Sequence, residues 1–323
     1  RDVAPSRGLG DVYKRQDLHS QINAWMKSLN NWLLVLSVLS CFGCSSPVHE
    51  DDRGCAFVSD SIQYRVEFMS AGCVRILSFP EGDTLVTRRL VVDSEKPAFK
   101  DYKWEDTGQK LLFRTRELSV VFDKADVAFT FQETSTGKLL LKEKGDRKAR
   151  NFKRSVAGGE QCLEVTQRFV PTEDEAIYGL GQYQNGIMNY RGKSVLLLQA
   201  NMDIVNPFLI STNGYGVLWD NYSSTKFEDT KEGYSFTSEV GDASDYYFVY
   251  GKNMDEVLAG YRELTGDVPM FGKWVYGFWQ SKERYKSFDE LKAVVKEYRK
   301  RGIPLDNIVQ DWEYWGDKPH WNS

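Results

Sequence analysis

Trp274-Val275-Tyr276-Gly277-Phe278-Trp279-Gln280, then Ser287-Phe288-Asp289-Glu290, then Asn307-Ile308-Val309-Gln310-Asp311: this stretch decides the fold. Trp274 to Gln280 is a near-continuous apolar run, the composition of a strand buried on both faces. Ser287 and Glu290 stand three apart, the spacing of a capping box in which each side chain satisfies a first-turn amide. Phe288, Leu291, Val294, Val295 and Tyr298 then fall on one helical face. Gly302 is placed to end that helix, with Pro304 just beyond it. Asn307 to Trp315 reads as a second strand running into aromatic residues. Strand, helix and strand over roughly 40 residues is a βα unit of a parallel sheet.

Upstream of Val268-Pro269 the period is two. Ile62, Tyr64, Val66 and Phe68 alternate with Ser61, Gln63, Arg65 and Glu67, which predicts a half-buried strand. The turn Ser70-Ala71-Gly72 leads into a second run, Cys73 to Phe79. Leu118, Val120 and Phe122 alternate, as do Val127, Phe129 and Phe131, and Val205 to Asp220 and Tyr234 to Tyr250 continue the strand composition. Short strands with turns between them predict an antiparallel sandwich. The expected architecture is therefore a β-sandwich N-terminal domain over 45–269. The first strands and helix of a (β/α)8 TIM barrel follow over 270–323. A whole barrel takes about 250 residues, so the barrel is expected to be truncated here and the chain to run on past Ser323.

Composition excludes several classes of function. The net charge is −4 with acids and bases interspersed, so no basic stripe offers a nucleic acid its footprint. Of the five cysteines, Cys41 and Cys44 sit at the end of an apolar run and the other three lie without metal-ligand spacing, and the chain has three histidines, so neither a metal site nor a cofactor is expected. Cys55, Cys73 and Cys162 are scattered, and Cys73 and Cys162 read as small core residues. The glycine-dense run Tyr178 to Gly186 lacks the G-x-G-x-x-G spacing and has no amphipathic helix after it, which argues against a phosphate cradle. Its glycines instead allow tight bends that present Gln182 and Asn185. Nine Trp and 17 Tyr suit both a β-rich core and flat platforms for pyranose rings, and composition leaves both open.

The first residues carry an address. Met26-Lys27 is a basic start, Trp32 to Leu39 an apolar run, and Ser40-Cys41 and Gly43-Cys44 are two candidate cleavage points. Residues 26–44 are expected to be a lipoprotein signal peptide, too short for a transmembrane span. Cys44, followed by a polar, acidic tether, or Cys41 is the expected lipidated residue. The protein is then secreted and held at the cell envelope or outer membrane of a Gram-negative bacterium, touching membrane only through its lipid. A signal cleaved without lipidation is the alternative. Residues 1–25 are expected to be foreign to the protein, because Asp11 to Gln16 looks like the translation of a transposon end.

In a (β/α)8 barrel, side chains at the C-terminal ends of strands build the site. Asp311 is expected at such an end, flanked by Trp312, Tyr314 and Trp315. It either accepts sugar hydroxyls between aromatic rings or caps a loop backbone.

Four segments taken together resemble glycoside hydrolase family 31. They are Tyr178-Gly179-Leu180-Gly181, Gly214-Tyr215-Gly216-Val217-Leu218-Trp219-Asp220-Asn221, Gly277-Phe278-Trp279-Gln280, and Ile303-Pro304-Leu305-Asp306-Asn307-Ile308-Val309-Gln310-Asp311-Trp312. The resemblance implies retaining hydrolysis of α-glycosidic bonds by two aspartates on later barrel strands. One attacks the anomeric carbon, and the other protonates the leaving oxygen and then activates water. Both are expected beyond Ser323, so residues 1–323 alone are expected to be inactive. Asp311 and Glu313 are not that pair. The resemblance implies that Asp311 holds the sugar in subsite −1 at its far hydroxyl, with Trp312, Trp315 and Trp279 as further substrate-binding residues. Gly181 to Gly186 with Asn189-Tyr190-Arg191-Gly192 is most similar to bacterial α-xylosidases that release non-reducing-end xylose from xyloglucan oligosaccharides, which places Gln182 and Asn185 at the rim of the site. An α-glucosidase of the same family is the enzymatic alternative, and a non-catalytic surface carbohydrate-binding lipoprotein is the alternative of another class.

Overall fold

The computed structural model describes residues 48–83, 90–93, 97–145 and 151–311, all within the compact unit Ser46–Ser323. The expectations for residues 1–25, for the signal peptide with Cys41 and Cys44, and for Trp312 and Trp315 fall outside the described residues. Among the described residues the chain forms β1 (His49–Glu50), β2 (Cys55–Ser59), β3 (Ile62–Ser70), β4 (Cys73–Pro80), β5 (Lys103–Asp106), β6 (Lys110–Arg114), β7 (Leu118–Asp123), β8 (Ala128–Glu133) and β9 (Leu139–Glu143). Then come β10 (Phe152–Ala157), β11 (Glu160–Val170), β12 (Ile177–Gln182), β13 (Ser194–Leu197), β14 (Ile204–Ser211), β15 (Tyr215–Trp219), β16 (Thr225–Thr230), β17 (Gly233–Gly241) and β18 (Ser244–Tyr250). Helix α1 (Met254–Thr265), a 3-10 turn (Lys273–Tyr276), β19 (Trp279–Gln280), α2 (Phe288–Lys300) and β20 (Asn307–Ile308) follow.

Two antiparallel sheets make the sandwich. One runs β1-β2-β3-β4-β18-β15-β14-β12, the other β13-β16-β17-β11-β9-β8-β7-β6-β5 with β10 alongside β11. Their inner faces share one apolar core, as an aligned sandwich requires. Aromatic rings join the layers: Phe131 stacks on Phe248 with centroids 4.2 Å apart, and Phe57 meets Phe122 at 4.8 Å. Trp219 is fully buried, stacks on Phe236, and donates its indole N–H to Ser238 Oγ at 2.9 Å. The alternation of Tyr64, Val66 and Phe68 does send these side chains into the core.

The opposite face of β3 and of its neighbour β4 buries charge where the polar residues of β3 predict exposure. Glu67 and Arg75 are 3% and 1% exposed. Arg75 donates to Asp245 through Nε (2.8 Å) and Nη2 (2.5 Å), and to Glu67 through Nη1 (2.9 Å). Charges leave water at tolerable cost only when paired in this way. Helix α1 packs beside them on the same outer face, through Val257 and Leu264 against Cys73, Phe208, Leu218 and Val249. Asn253 caps it, accepting the amide hydrogen of Glu256. Cys55 and Cys73 are buried free thiols, whereas Cys162 on β11 is only half-buried and is not among the core residues.

After α1 the parallel unit appears. Trp279 pairs with Asn307 and Gln280 with Ile308, in parallel, with α2 as the crossover between them. The strand expected over 274–280 is shorter. Val275 donates to Gly272 O and Gly277 to Trp274 O, so 273–276 winds as a 3-10 turn and pairing begins at Trp279. The strand expected from Asn307 likewise pairs only at Asn307 and Ile308 among the described residues.

Candidate functional site

The βα unit is held by local bonds that aim one end of its strands. Ser287 Oγ accepts the Glu290 amide hydrogen at 3.1 Å, and the Glu290 carboxylate accepts that of Lys286 at 2.8 Å. On α2, Leu291, Val294, Val295 and Tyr298 are half-buried and Phe288 stays exposed. Tyr298 donates to Gln280 Oε1 at 2.5 Å, and Gln280 Nε2 reaches the Tyr285 hydroxyl at 3.3 Å. Gln280 therefore ties the end of β19 to its helix. Gln310 Nε2 donates to Tyr285 O at 3.2 Å, which draws the segment after β20 to the same side.

Asp311 follows three residues after β20, past the C-terminal end of the strand, and is half-buried. That is the end at which parallel barrels place their chemistry. Trp279 lies on β19 with 48% of its surface exposed, its indole N–H donated to Val275 O at 2.8 Å. A carboxylate accepts hydroxyl hydrogens, and an indole held by its own N–H offers an apolar surface, so each is a side chain of the kind that contacts a polyhydroxylated ring.

The other two described candidates belong to the sandwich. Gln182 ends β12, opposite Ile204 of β14, and is exposed. Its strand is bent by a bulge between Gly179 and Gly181, whose φ angles are 101° and 119°. A Cβ at Gly179 would sit 2.4 Å from Phe208 O, and one at Gly181 2.1 Å from Ile204 O. Glycine is required there for backbone approach as well as for φ. Asn185 is exposed in the loop that follows, its Oδ1 accepting the Ile187 amide hydrogen at 2.9 Å. Gln182 at the end of β12 and Asn185 in the loop after it thus lie in the sandwich and Trp279 and Asp311 in the βα unit, and the hydrogen bonds described for Asn185 and Trp279 are local to each.

The loop returns to its own strand. Ile177 at the start of β12 donates to Asn189 Oδ1 (3.1 Å), and Tyr190 donates to Ile177 O (2.8 Å). Behind this contact Glu175, 6% exposed, accepts from Ser211 Oγ (2.8 Å) and the Tyr215 hydroxyl (2.9 Å). Burial raises its carboxyl above the usual carboxylate range, against those hydrogen bonds and the charge of Arg191. The sequence names Arg191 only within the segment Asn189 to Gly192 and gives no sign of its partner Asp229, because 38 residues separate them and no local pattern marks such a pair. Among the described residues no group of three or more His, Cys, Asp or Glu is arranged to hold a metal ion.

With this geometry in place, comparison with known proteins identifies its counterparts. The family model for the glycosyl hydrolase 31 N-terminal galactose mutarotase-like domain matches residues 63–228, and that for the glycosyl hydrolases family 31 TIM-barrel domain matches residues 268–323. An alpha-xylosidase of Saccharolobus solfataricus is 40% identical over 278 residues, covering 81% of this chain and 36% of that protein. Alpha-glucosidase 2 of Bacillus thermoamyloliquefaciens is 26% identical over 277 residues, covering 80% of this chain and 33% of that protein. The crystal structure of a GH31 alpha-xylosidase from a soil metagenome, complexed with xylose, matches with a TM-score of 0.72 at 25% identity, covering 84% of this chain and 42% of that one. The chain spans about a third of the length of the curated relatives it matches.

Proposed function

We infer the protein's activity from one premise: the chain belongs to glycoside hydrolase family 31. As part of a longer protein it hydrolyses α-glycosidic bonds with retention of configuration, and its substrate is an oligosaccharide bearing a non-reducing-end α-xylosyl unit, as in xyloglucan fragments. The observation that carries this reading is the 40% identity to an alpha-xylosidase over 278 residues, covering 81% of this chain. The wider kinship, which includes an alpha-glucosidase at 26%, supports α-glucoside hydrolysis as the second reading.

In this reading Asp311 holds the sugar. Its place past the end of β20 supports the role, and Trp279, Trp312 and Trp315 supply apolar surface around the ring. Gln182 and Asn185 line the rim, where longer substrates extend. The nucleophile and the acid/base are assigned to later barrel strands. Residues 45–269 serve as the sandwich domain and 270–323 as the start of the barrel, and Cys44 or Cys41 anchors the secreted protein by lipid at the cell envelope.

The test is to incubate the full-length protein with xyloglucan oligosaccharides and identify the sugar released. Xylose is expected. Glucose release from α-glucosides alone supports the second reading, and binding without any release points to a carbohydrate-binding lipoprotein.

A further inference from the structure

The return of the 183–189 loop is fastened by one guanidinium. Arg191 donates through Nε to Asp229 Oδ2 on β16 at 2.8 Å, and through Nη1 to the carbonyls of Thr172 (3.0 Å) and Glu175 (3.2 Å) just ahead of β12. β12 belongs to one sheet and β16 to the other, so this side chain bridges the two layers. Asp229 grips the neighbouring backbone as well. Its Oδ2 also accepts the Gly192 amide hydrogen at 2.6 Å, and its own amide donates to Lys193 O at 2.9 Å. The Asp229 side chain is 1% exposed, and its Oδ1 has no hydrogen-bond partner among the described residues. A buried carboxylate held this way depends on its cation, and the planar fork of arginine reaches a carboxylate and two carbonyls at once where a lysine ammonium reaches fewer. The Arg191 amide is also committed, donating to the same Asn189 Oδ1 that Ile177 uses. The segment 189–192 is therefore fixed by backbone, side chain and charge together, while Asn185 lies in the exposed span it returns from.

We propose that Arg191 is a positioning residue for substrate recognition, setting the 183–189 loop, and with it Asn185, at the rim of the sugar site through Asp229 and the Thr172 and Glu175 carbonyls. The proposal rests on the reading of Gln182 and Asn185 as rim residues.

The test uses the full-length protein, with steady-state hydrolysis of a xylosylated oligosaccharide and of an aryl α-xyloside too short to reach the rim. Gln182→Ala and Asn185→Ala are expected to raise KM for the oligosaccharide about 5-fold. Arg191→Ala is expected to raise it about 10-fold, with kcat within about 2-fold and the aryl substrate little affected, and Arg191→Lys to recover about half of that loss on a logarithmic scale. If Arg191→Ala does not fold, Arg191→Lys decides by the same KM. A lowered Tm with oligosaccharide KM unmoved in the Arg191 variants, while Asn185→Ala raises it, identifies a purely structural clamp and overturns the proposal. Unmoved KM in both Gln182→Ala and Asn185→Ala overturns the rim reading itself, and the proposal with it.

Discussion

The Asp306 carboxylate accepts the amide hydrogen of Phe278 at 3.0 Å, from the space a side chain on Gly277 would occupy. Asp306 and Asn307 in turn donate their amides to Phe278 O. The residues leading into β19 and β20 are thereby locked in the register that pairs Trp279 with Asn307 and leaves Asp311 past the C-terminal end of β20. A Cβ at Gly277 would lie 2.1 Å from Asp306 Oδ2, so Gly277→Ala must displace that carboxylate. The substitution is expected to cost about 1–3 kcal/mol in urea unfolding. Asp306→Ala, which loses the bond without the clash, is expected to cost about 0.5–1.5 kcal/mol.

Glu143 gives the sandwich a pH signature. It accepts from Phe129 N (2.8 Å), Gln167 Nε2 (2.8 Å) and the Tyr246 hydroxyl (2.7 Å), all neutral donors, and no cation is among these three. Burial pushes its carboxyl up to about 7, against the hydrogen bonds from Tyr246 and Phe129. A folded value above the unfolded one means the fold favours the protonated form. That stabilisation is complete below about pH 4.5 and is lost as pH rises through about 7. The loss from this group is expected to be about 3 kcal/mol. In Glu143→Gln a single carbonyl oxygen cannot serve all three donors, so the variant should be the less stable protein at about pH 5. Its deficit should shrink by about pH 8. Parallel stability curves would show that Glu143 does not titrate in this window.

How much of this was legible depended on how local the cause was. Helix α2 was readable because Ser287 and Glu290 lie within one turn, although the Glu290 side chain caps Lys286 rather than Ser287. The sandwich was readable because Tyr64, Val66 and Phe68 carry their own period. Helix α1 was missed, since Val257 and Leu264 are its only buried residues and make too sparse a stripe behind the strand run ending at Tyr250. The burial of Glu67 was invisible for another reason: it sits with Arg75, whose other partner, Asp245, is 170 residues away in the sequence. At the site, the position of Asp311 followed from the strand–helix–strand order, whereas Arg191 and Asp229 meet only through the packing of the two sheets.

The proposed lipid anchor makes a separate claim. Expressed from Met26 in a Gram-negative host, the protein is expected to partition with membranes and to incorporate labelled palmitate. Replacing Cys41 and Cys44 together by Ser should abolish both. Unchanged labelling and partitioning in that double variant would remove the anchor.

Asp311 should act on substrate rather than on stability. In the full-length protein Asp311→Asn is expected to lower kcat/KM about 10- to 100-fold, equivalent to about 1.4–2.8 kcal/mol of lost transition-state binding. Asp311→Ala should lose more, because hydroxyl groups are left unpaired in a water-poor site. Circular dichroism should show both variants folded. Unchanged kcat/KM in a folded Asp311→Ala protein would make Asp311 a loop cap.

The most direct measurement is kcat/KM of the full-length protein on matched aryl α-xyloside and aryl α-glucoside, under one set of conditions. Xylose lacks the hydroxymethyl group of glucose, and a pocket closed over that position excludes glucose by steric clash. A preference for the xyloside of about 10-fold or more is expected. A preference for the glucoside, or no hydrolysis of either, would contradict the assignment.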